Sequence, residues 1–565
     1  MSLFGSIQLA NNTLRAADIG LQVVGNNIAN ANTPGYLREE LNLVTAPAQR
    51  IGNLTLGLGV ESHSITQKID HFLEDRLRSA TSDLANGETQ ESTYTQLESI
   101  VGELSTTDLS TSLSNFFNSV QDILNQPDSV SVRNIAVLKG QTLATDIQTL
   151  HKRVSNLHTQ VDNQIVASAA DINKLLKKIA GLNVQIVNTE GGSVSSSDAV
   201  GLRDTREIAL KDLSNILGIS AVEQPTGDVT VFVNGEYLVN QGSFREVAVS
   251  QKNEDGFINS EIRLKETDAS VATQSGKLAG LIASRDTILG GYLKTLNDFS
   301  RVVINEFNKI HAAGQGITGY SSVNSEFAVA DSSAALDEAG LSFTPHNGSF
   351  DIKLLNRQTG LTTTKNIAVD LHGLDDDTSL AKLAAQLNNI DGISATVTDT
   401  RRLQITSDSS NVTFGFANDS SGILAALGIN TFFKGKGASD MGVSDVIRND
   451  PAKFAASSGG INEDTKNAVE LAGLLNKSLS TQNGTSLAVL YDHMTGEVAQ
   501  GSSVAKGIAE GYRTFQQALS GQHLAVSGVS LDEEAIRMIA YQRTFQASAR
   551  LVTTINEMLD ILVKL

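Results

Sequence analysis

The chain of 565 residues contains no cysteine and no tryptophan, and aromatic residues make up only 5% of it. Without cysteine there can be no disulfide bond, no thiolate nucleophile and no cysteine-ligated zinc or iron–sulfur site. No apolar run approaches the ~20 residues that a membrane-spanning helix needs. The N-terminus also lacks the basic and apolar stretches of a cleavable secretion signal, so we expect no such signal.

Positive charge is in short supply. The chain has 43 Lys and Arg against 62 Asp and Glu, which gives a formal net charge of −19 at pH 7. Such a surface would repel the phosphates of nucleic acids and of anionic membranes, so we expect neither as a partner. Hydrophobic residues still make up 40% of the chain, which permits sizeable cores. The length suggests three or four domains of ~150 residues each.

Familiar catalytic and cofactor motifs are absent or out of place. Residues 314–319 match GxGxxG, but they follow a helical pattern rather than a strand, so helix termination explains them better than dinucleotide binding. The nine histidines form no HExxH pattern, and the acidic run at 375–377 lacks the alternation of a calcium loop. Acidic residues are plentiful, although no pattern brings two of them together for hydrolysis. We therefore predict no catalytic residue, no cofactor and no metal site.

The most regular pattern lies at the C-terminal end. Its apolar residues have the alternating spacing of three and four that is typical of a coiled-coil seam. Ser530 and Glu533 precede this seam with the spacing of a capping box, in which hydroxyl and carboxylate bind free N–H groups at the helix start. The residues of the seam are Met538, Tyr541, Phe545, Ser548, Val552, Ile555, Leu559 and Leu562.

A second seam of the same spacing lies at the N-terminal end. Exposed apolar stripes are unfavourable in water, so we expect the two ends to pair and the middle of the chain to be a long excursion between them. This seam consists of Leu3, Ile7, Ala10, Leu14, Ala17, Leu21, Val24 and Ile28.

The N-terminal helix is predicted to end at a turn. Several asparagines weaken the helix before the turn, because asparagine is a poor helix former. Pro34 fixes φ and Gly35 supplies the positive φ that a type II turn requires. We expect the turn to end the helix and to direct the chain away from it. It consists of Asn32, Thr33, Pro34, Gly35 and Tyr36.

Long helical patterns dominate the interior of the chain. The longest, at 131–188, would extend ~85 Å at 1.5 Å per residue, which is unusual for a compact enzyme and normal for a rod. Asn234-Gly235 predicts a β-hairpin within 219–250. The other helices are predicted at 65–86, 92–104, 109–126, 202–217, 275–312, 463–477 and 486–519.

Residues 321–440 differ, because their apolar residues alternate in short runs with two short helices near 378–389 and 420–427. The fold class is therefore predicted as mainly α with β insertions. We expect paired terminal coiled-coil helices (1–36 and 525–565) and a long helical rod domain (37–320 and 441–524, with the small hairpin). We expect residues 321–440 to form an inserted α+β domain that faces outward.

Three stretches carry a family resemblance. NNIANANTPGY at 26–36, SGVSLDEEA at 527–535 and YQRTFQASAR at 541–550 resemble the terminal signatures of the flagellar rod/hook axial protein family of bacteria. SGKLAGLIASRD at 275–286 and the helical sequence at 296–314 resemble the hook-associated members of that family, which lie at the hook–filament junction.

The resemblance implies a structural subunit that joins hook to filament and polymerises through its terminal helices into a ring or tube. It implies as partners further copies of the chain, the hook protein and a second junction protein next to the filament. A cytoplasmic export chaperone is expected to hold the C-terminal region. The implied location is extracellular, in the flagellum, after type III export without a cleaved signal peptide.

Two alternatives remain open. In the first, the chain is another axial subunit of rod, hook or filament. In the second, it is a secreted adhesin or enzyme with its active surface in 321–440. Hook and rod proteins of the family are expected to be β-rich between their ends, and flagellins lack NTPGY and SGVSLDEE. Long helices together with both terminal motifs therefore favour the junction subunit.

Overall fold

The structure, a computed structural model, describes residues 3–51, 54–102, 108–191, 197–254, 256–271, 273–373 and 376–564. Its contacts divide the chain into two compact units. Unit 1 comprises Met1–Thr93, Thr159–Arg285 and Ser503–Leu565, and unit 2 comprises Tyr94–His158 and Asp286–Ser502. The three-part division expected from the sequence cuts the chain at other points and stays a prediction.

Thirteen α-helices are found among the described residues, and the longest contains 61 residues. Between α6 and α7 the chain forms one π-helical segment, Ser284–Leu289. The helices are α1 (Leu3–Asn30), α2 (His71–Gly102), α3 (Leu109–Asn125), α4 (Val130–Glu190), α5 (Val200–Ile216), α6 (Gly276–Ala283), α7 (Gly290–Ala312), α8 (Leu380–Asn388), α9 (Ile423–Leu427), α10 (Asp445–Asn449), α11 (Lys466–Gly473), α12 (Leu487–Ser527) and α13 (Leu531–Lys564).

The two helices expected at 65–86 and 92–104 are wrong, since one continuous helix, α2, covers most of both ranges. Gly87, between the two expected ranges, lies inside α2. A side-chain carbon on Gly87 would lie 3.0 Å from the Tyr512 ring and 3.3 Å from the Ala509 backbone. The glycine thus lets α12 approach α2 closely and does not break the helix.

Unit 1 contains small antiparallel sheets beside its helices. After the turn that follows α1, β1 (Glu39–Thr45) pairs with β4 (Val60–Gln67) in an antiparallel β-hairpin. At the predicted hairpin turn, Asn234 and Gly235 have φ of 46° and 86°, as a type I′ turn requires. The remaining strands of unit 1 are β2 (Gln49–Ile51), β3 (Leu54–Leu56), β5 (Ser220–Glu223), β6 (Val229–Val233), β7 (Glu236–Asn240), β8 (Ser243–Phe244), β9 (Val247–Glu254) and β10 (Phe257–Leu264).

Unit 2 contains two three-stranded sheets within the expected α+β segment, with orders β11-β15-β14 and β13-β12-β16. A continuous hydrophobic cluster from Ala312 to Ile429 lies between these sheets and α8 and α9. Residues 321–440 therefore supply most of one apolar core, to which Ala312 and Tyr320 also belong. The strands are β11 (Ser322–Asn324), β12 (Gly348–Asn356), β13 (Thr362–Val369), β14 (Ile393–Val397), β15 (Leu403–Ser407), β16 (Val412–Ala417), β17 (Phe433–Lys434) and β18 (Gly442–Val443).

None of the helices in the described ranges is both long and apolar enough to cross a membrane.

Candidate assembly site at the paired chain ends

Helices α1 and α13, here called the terminal helix pair, pack along each other within unit 1. Two contacts fix their relative direction. Asn27 donates a hydrogen bond to Glu534 over 3.1 Å. The Tyr541 ring packs on Gly20 so closely that a side-chain carbon on this glycine would lie only 2.6 Å from the ring. Since the residue number falls on α1 as it rises on α13, the helices are antiparallel.

Most residues of the two predicted seams are buried or half-buried. On α1, Ala10, Ala17 and Val24 are buried, and Leu3, Ile7, Leu14, Leu21 and Ile28 are half-buried. On α13, Ser548 and Ile555 are buried, and Met538, Tyr541, Val552 and Leu559 are half-buried. Phe545 and Leu562 are the exceptions, with 39% and 62% of their surface exposed.

A second face of α1 packs against the β1–β4 hairpin, which the sequence did not predict. The Asn12 side chain donates to the Leu58 carbonyl over 3.1 Å, and a side-chain carbon on Gly59 would lie 3.5 Å from Leu9. Ala16 and Val23 are also buried. The hairpin thus covers a flank of α1 that the heptad pattern leaves undescribed.

The predicted turn forms after α1. The Tyr36 N–H donates to the Thr33 carbonyl over 3.2 Å, and Gly35 has φ of 78°, as expected for a type II turn. A side-chain carbon on Gly35 would also lie 2.6 Å from Ile208 of α5. Glycine is therefore needed here for both the backbone conformation and the close approach. Positions 32–35 are exposed, and Tyr36 is half-buried.

The main contacts of this region come just after the turn, in residues 36–39, here called the exit segment. The Arg38 N–H donates to the Ser527 carbonyl over 3.0 Å, at the break between α12 and α13. The Arg38 guanidinium donates through Nε and Nη2 to one oxygen of Glu534, at 2.9 and 2.6 Å. Its Nη1 lies 2.7 Å from Glu533. Arg38 therefore joins the exit segment to the first turn of α13.

The Arg38–Glu534 pair is buried, with side-chain exposures of 5% and 1%. Removing one partner of such a pair leaves a buried charge uncompensated, which costs ~3–5 kcal/mol. The N-terminal motif predicted from the sequence ends at Tyr36 and does not include Arg38. The available signal was an arginine two positions after the turn and the acidic run that opens α13.

Asn27 is the polar centre of the site. Its amide nitrogen donates to the Glu39 carbonyl (2.9 Å) and to Glu534 (3.1 Å). Its amide oxygen accepts from the Glu39 N–H (2.9 Å) and from the Tyr36 hydroxyl (2.8 Å). All four hydrogen-bonding positions are used. The sequence analysis took the asparagines as helix-weakening residues, whereas Asn27 is buried and ties α1 to the exit segment.

Other groups adjoin the exit segment. The Leu37 N–H donates to Asp204 of α5 over 3.4 Å, and the Gln67 side chain donates to the same oxygen over 2.6 Å. Burial raises the pKa of Asp204 to about 7, although both hydrogen bonds oppose the shift, and nearby Glu39 adds to it. Burial also raises the pKa of Tyr36 above its usual value, which keeps its hydroxyl protonated as a donor.

The predicted helix cap forms in part. The Ser530 hydroxyl accepts the Glu533 N–H over 3.5 Å, as a capping serine does. The Glu533 carboxylate lies 2.7 Å from the Arg38 guanidinium. This carboxylate, predicted to complete the capping box, thus joins the ion pair with the exit segment.

A separate apolar surface lies on the side of α13 away from the seam. We call it the outer apolar stripe. Large exposed apolar surfaces of this kind mark interaction sites. The stripe consists of Ile536, Ile539, Leu551, Met558 and Ile561, which are between 39% and 69% exposed.

The other motifs weighed in the sequence do not form a site. The glycines at 314 and 316 lie so close to neighbours that added side-chain carbons would be 2.2 Å from Asn467 and 2.4 Å from the Ala452 carbonyl. Asp377 accepts the N–H groups of His372 and Gly373 and so stabilises a turn, while Asp375 lies outside the described residues. Within the described ranges, no group of His, Asp or Glu is arranged to hold a metal ion.

Three family models match the chain. The flagellar hook-associated protein FlgK helical domain matches residues 94–327. The flagella basal body rod protein model matches residues 7–36, and the flagellar basal body rod FlgEFG protein C-terminal model matches residues 520–565. The three matches together cover more than half of the chain and include most of both terminal helices.

Curated relatives extend the similarity over nearly the whole chain. Flagellar hook-associated protein 1 of Escherichia coli (strain K12) is 25% identical over 580 residues, which cover 99% of each chain. Flagellar hook-associated protein 1 of Bacillus subtilis (strain 168) is 24% identical over 597 residues, which cover 99% of this chain and 97% of the relative.

A solved structure has the same fold. The flagellar hook junction protein FlgK from Burkholderia pseudomallei aligns with a TM-score of 0.54 and 15% identity, over 80% of this chain and 100% of that one. At this identity the likeness bears on the fold alone, which is mainly α with β insertions, as the sequence predicted. Family models at both ends and in the interior, together with full-length relatives, agree that this chain belongs to the family of flagellar hook-associated proteins.

Proposed function

We propose that this protein is a structural subunit of the bacterial flagellum that joins hook to filament by polymerising through its terminal helix pair. One observation carries the proposal: α13 pairs with α1 along its seam and still leaves the outer apolar stripe exposed to water. Burial of apolar surface contributes ~25 cal/mol per Å². Five large side chains repeated along one helix are therefore a substantial driving force for association.

The occupant proposed for the outer apolar stripe is a second copy of this chain. The stripe belongs to a helix whose sequence matches a rod-protein family model, and its relatives carry the name hook-associated protein. A stripe that meets a different surface of the next copy makes a heterologous contact, and such contacts generate rings or helical tubes. We therefore propose a ring or tube with the terminal helices in its wall.

The same terminal helices support the proposed neighbours. Both ends match rod-protein models, whereas the interior matches the hook-associated helical domain. Ends of rod and hook type suit contact with the hook protein on one side. On the other side we propose a second junction protein next to the filament.

We further propose that the chain reaches the outside of the cell by flagellar type III export, without a cleaved signal peptide. A cytoplasmic chaperone would hold the C-terminal region until export, because the outer apolar stripe would otherwise promote association inside the cell. Isothermal titration of the chaperone against the full chain and against a chain lacking residues 527–565 tests this. Equal affinity for both chains would contradict the chaperone proposal.

Deletion of the gene tests the junction role. We expect electron microscopy to show bare hooks and the medium to contain shed flagellin, with the phenotype restored by the gene on a plasmid. Missing hooks would instead indicate a rod or hook subunit. Normal flagella would overturn the proposal and direct attention to residues 321–440, which would then be screened for adhesion or catalysis.

A further inference from the structure

We infer that two contacts, one heptad apart, fix the register in which α1 and α13 pair. The first is the Tyr541 ring on the bare backbone of Gly20. The second is the buried carboxylate of Glu534 against Asn27 and Arg38. We call these five residues the register lock. They are positioning residues, since they select one pairing of the helices and take no other part in assembly.

A register lock is needed because the apolar seams alone do not define the pairing. Both seams repeat every seven residues. The α1 seam has only small and branched apolar side chains, and the α13 seam is mainly apolar but also contains Met538, Tyr541 and Phe545. A slip of α13 along α1 by one heptad moves it ~10.5 Å at 1.5 Å per residue and again sets apolar residues against apolar residues. In coiled coils, a buried polar residue in the seam commonly selects the register.

The slipped pairings are unfavourable at the tyrosine. In the structure Tyr541 is level with Gly20, and a carbon at the Cβ position there would lie 2.6 Å from the ring. A slip of seven residues sets Tyr541 level with either Thr13 or Asn27, both of which carry a side chain. The ring would then have to leave its position.

The same slips are unfavourable at the glutamate. Glu534 would move away from the amide of Asn27 and from the Arg38 guanidinium, because the backbone next to Arg38 is tied to α1 by the two bonds between Asn27 and Glu39. One slip sets Glu534 level with Gly20, which offers no side-chain donor, and the opposite slip carries it past the end of α1 to the exposed turn. Arg38 would then lose its buried partner, which is strongly destabilising. Both contacts therefore reject the same two alternatives.

Register matters for assembly because it sets the position of the outer apolar stripe relative to the exit segment. In a mixture of registers, the position of the stripe along α1 would differ by one heptad from copy to copy. Copies that differ in this way could not close a regular ring. This consequence rests on the proposed function, whereas the register itself does not.

Cysteine cross-linking of the purified full-length protein tests the register, because the chain contains no cysteine of its own. The register of the structure sets Ser548 level with Thr13, directly beside the seam residue Leu14, so the L14C/S548C pair reports the native pairing. L21C/S548C and I7C/S548C report the two slipped pairings. With the lock intact, we expect the native pair to form a disulfide at least ~10-fold more often than either slipped pair.

The lock is then removed by E534L with Y541L, which make both positions apolar. We expect the slipped pairs to rise to within ~3-fold of the native pair, since the seam no longer distinguishes the registers. Q542L with Q546L, at exposed positions of the same helix, is the matched control and should keep the native preference. Circular dichroism of each variant checks that α-helical content is unchanged.

Three results would overturn the inference. They are a strong native preference that survives E534L/Y541L, slipped products as abundant as native ones with the lock intact, and no cross-link at all in any pair. Incorporation into flagella is measured separately in cells. A variant that loses its register but still forms normal junctions would contradict the assembly consequence and leave the register lock standing.

Discussion

The 321–440 segment and the terminal helix pair differ in how far their large apolar side chains are exposed to water. Phe350, Phe414 and Phe416 of the segment are at most 1% exposed. On α13, by contrast, Ile536 and Ile561 are more than 60% exposed. A region that covers its own apolar residues is complete as a single chain, whereas a helix that leaves them in water is complete only in an assembly. The difference supports the proposal that the assembly surface lies on the terminal helix pair.

A charge in the seam should have the largest effect, because it should prevent assembly without changing unit 2. Val552 is a half-buried seam residue of α13, and V552D places a carboxylate between the two helices. An unpaired buried charge is highly unfavourable, so we expect incorporation into flagella to be abolished while unit 2 unfolds at its usual temperature. Immunoelectron microscopy and calorimetry of the purified chain measure the two effects.

The control for this variant is T553D, which puts the same charge at the neighbouring exposed position. It should assemble normally. Normal incorporation of V552D would count against the seam, and loss of the unit 2 transition would mean that the two regions are not independent.

A cavity in the core of residues 321–440 should have the opposite effect, because it should destabilise unit 2 without changing the terminal helix pair. Phe416 is fully buried among both sheets of residues 321–440, so F416A leaves a cavity and should lower the free energy of unfolding of unit 2 by ~3–5 kcal/mol. Native-register cross-linking of the terminal helix pair should be unchanged. L361A, at a residue that is 69% exposed, is the matched control. An F416A variant as stable as L361A would contradict the role of Phe416 in the core.

A buried histidine gives unit 2 a pH dependence. His311 is fully buried, with Nδ1 2.8 Å from the Asn430 carbonyl and Nε2 accepting the Ala455 N–H over 3.1 Å. The ring is therefore neutral with its proton on Nδ1. Burial lowers the pKa of His311 to about 4, and Arg133 adds to the shift although the Asn430 bond opposes it.

The sign of the pH effect follows from this lowered pKa. Since the unfolded chain has a histidine pKa of ~6.5, it takes up a proton first as the pH falls, and unit 2 should lose up to ~3 kcal/mol between pH 6.5 and 4. The contribution is complete above pH 6.5. H311N removes this titration, so its stability should fall less steeply over the same range in urea titrations. Identical slopes for both proteins would refute the prediction.

The sequence predicted the helices and strands of both regions better than it predicted the contacts that these helices and strands make with one another. Heptad spacing predicted the two terminal helices, because periodicity follows directly from helix geometry, but it left out Ala16 and Val23, which are also buried on α1. The Arg38–Glu534 pair joins residues 496 positions apart, and no local pattern states which polar groups will meet. Asn27 was interpreted as a weak helix former, since its helix propensity is visible in the sequence and its four hydrogen bonds are not.

Removing the cap of α13 should have the smallest effect, a local loss of stability at the start of this helix. The Ser530 hydroxyl accepts the Glu533 N–H at the long distance of 3.5 Å, so S530A should destabilise the start of α13 by only ~1 kcal/mol. That loss should raise amide hydrogen exchange in the first turn of α13 and leave exchange in β12 and β16 unchanged. S530D, which keeps an acceptor at the helix start, should restore protection. Because Arg38 holds Glu533 and Glu534 independently of the hydroxyl, S530A should still pair in the native register. A variant that slips would move part of the register selection from the buried ion pair to the cap.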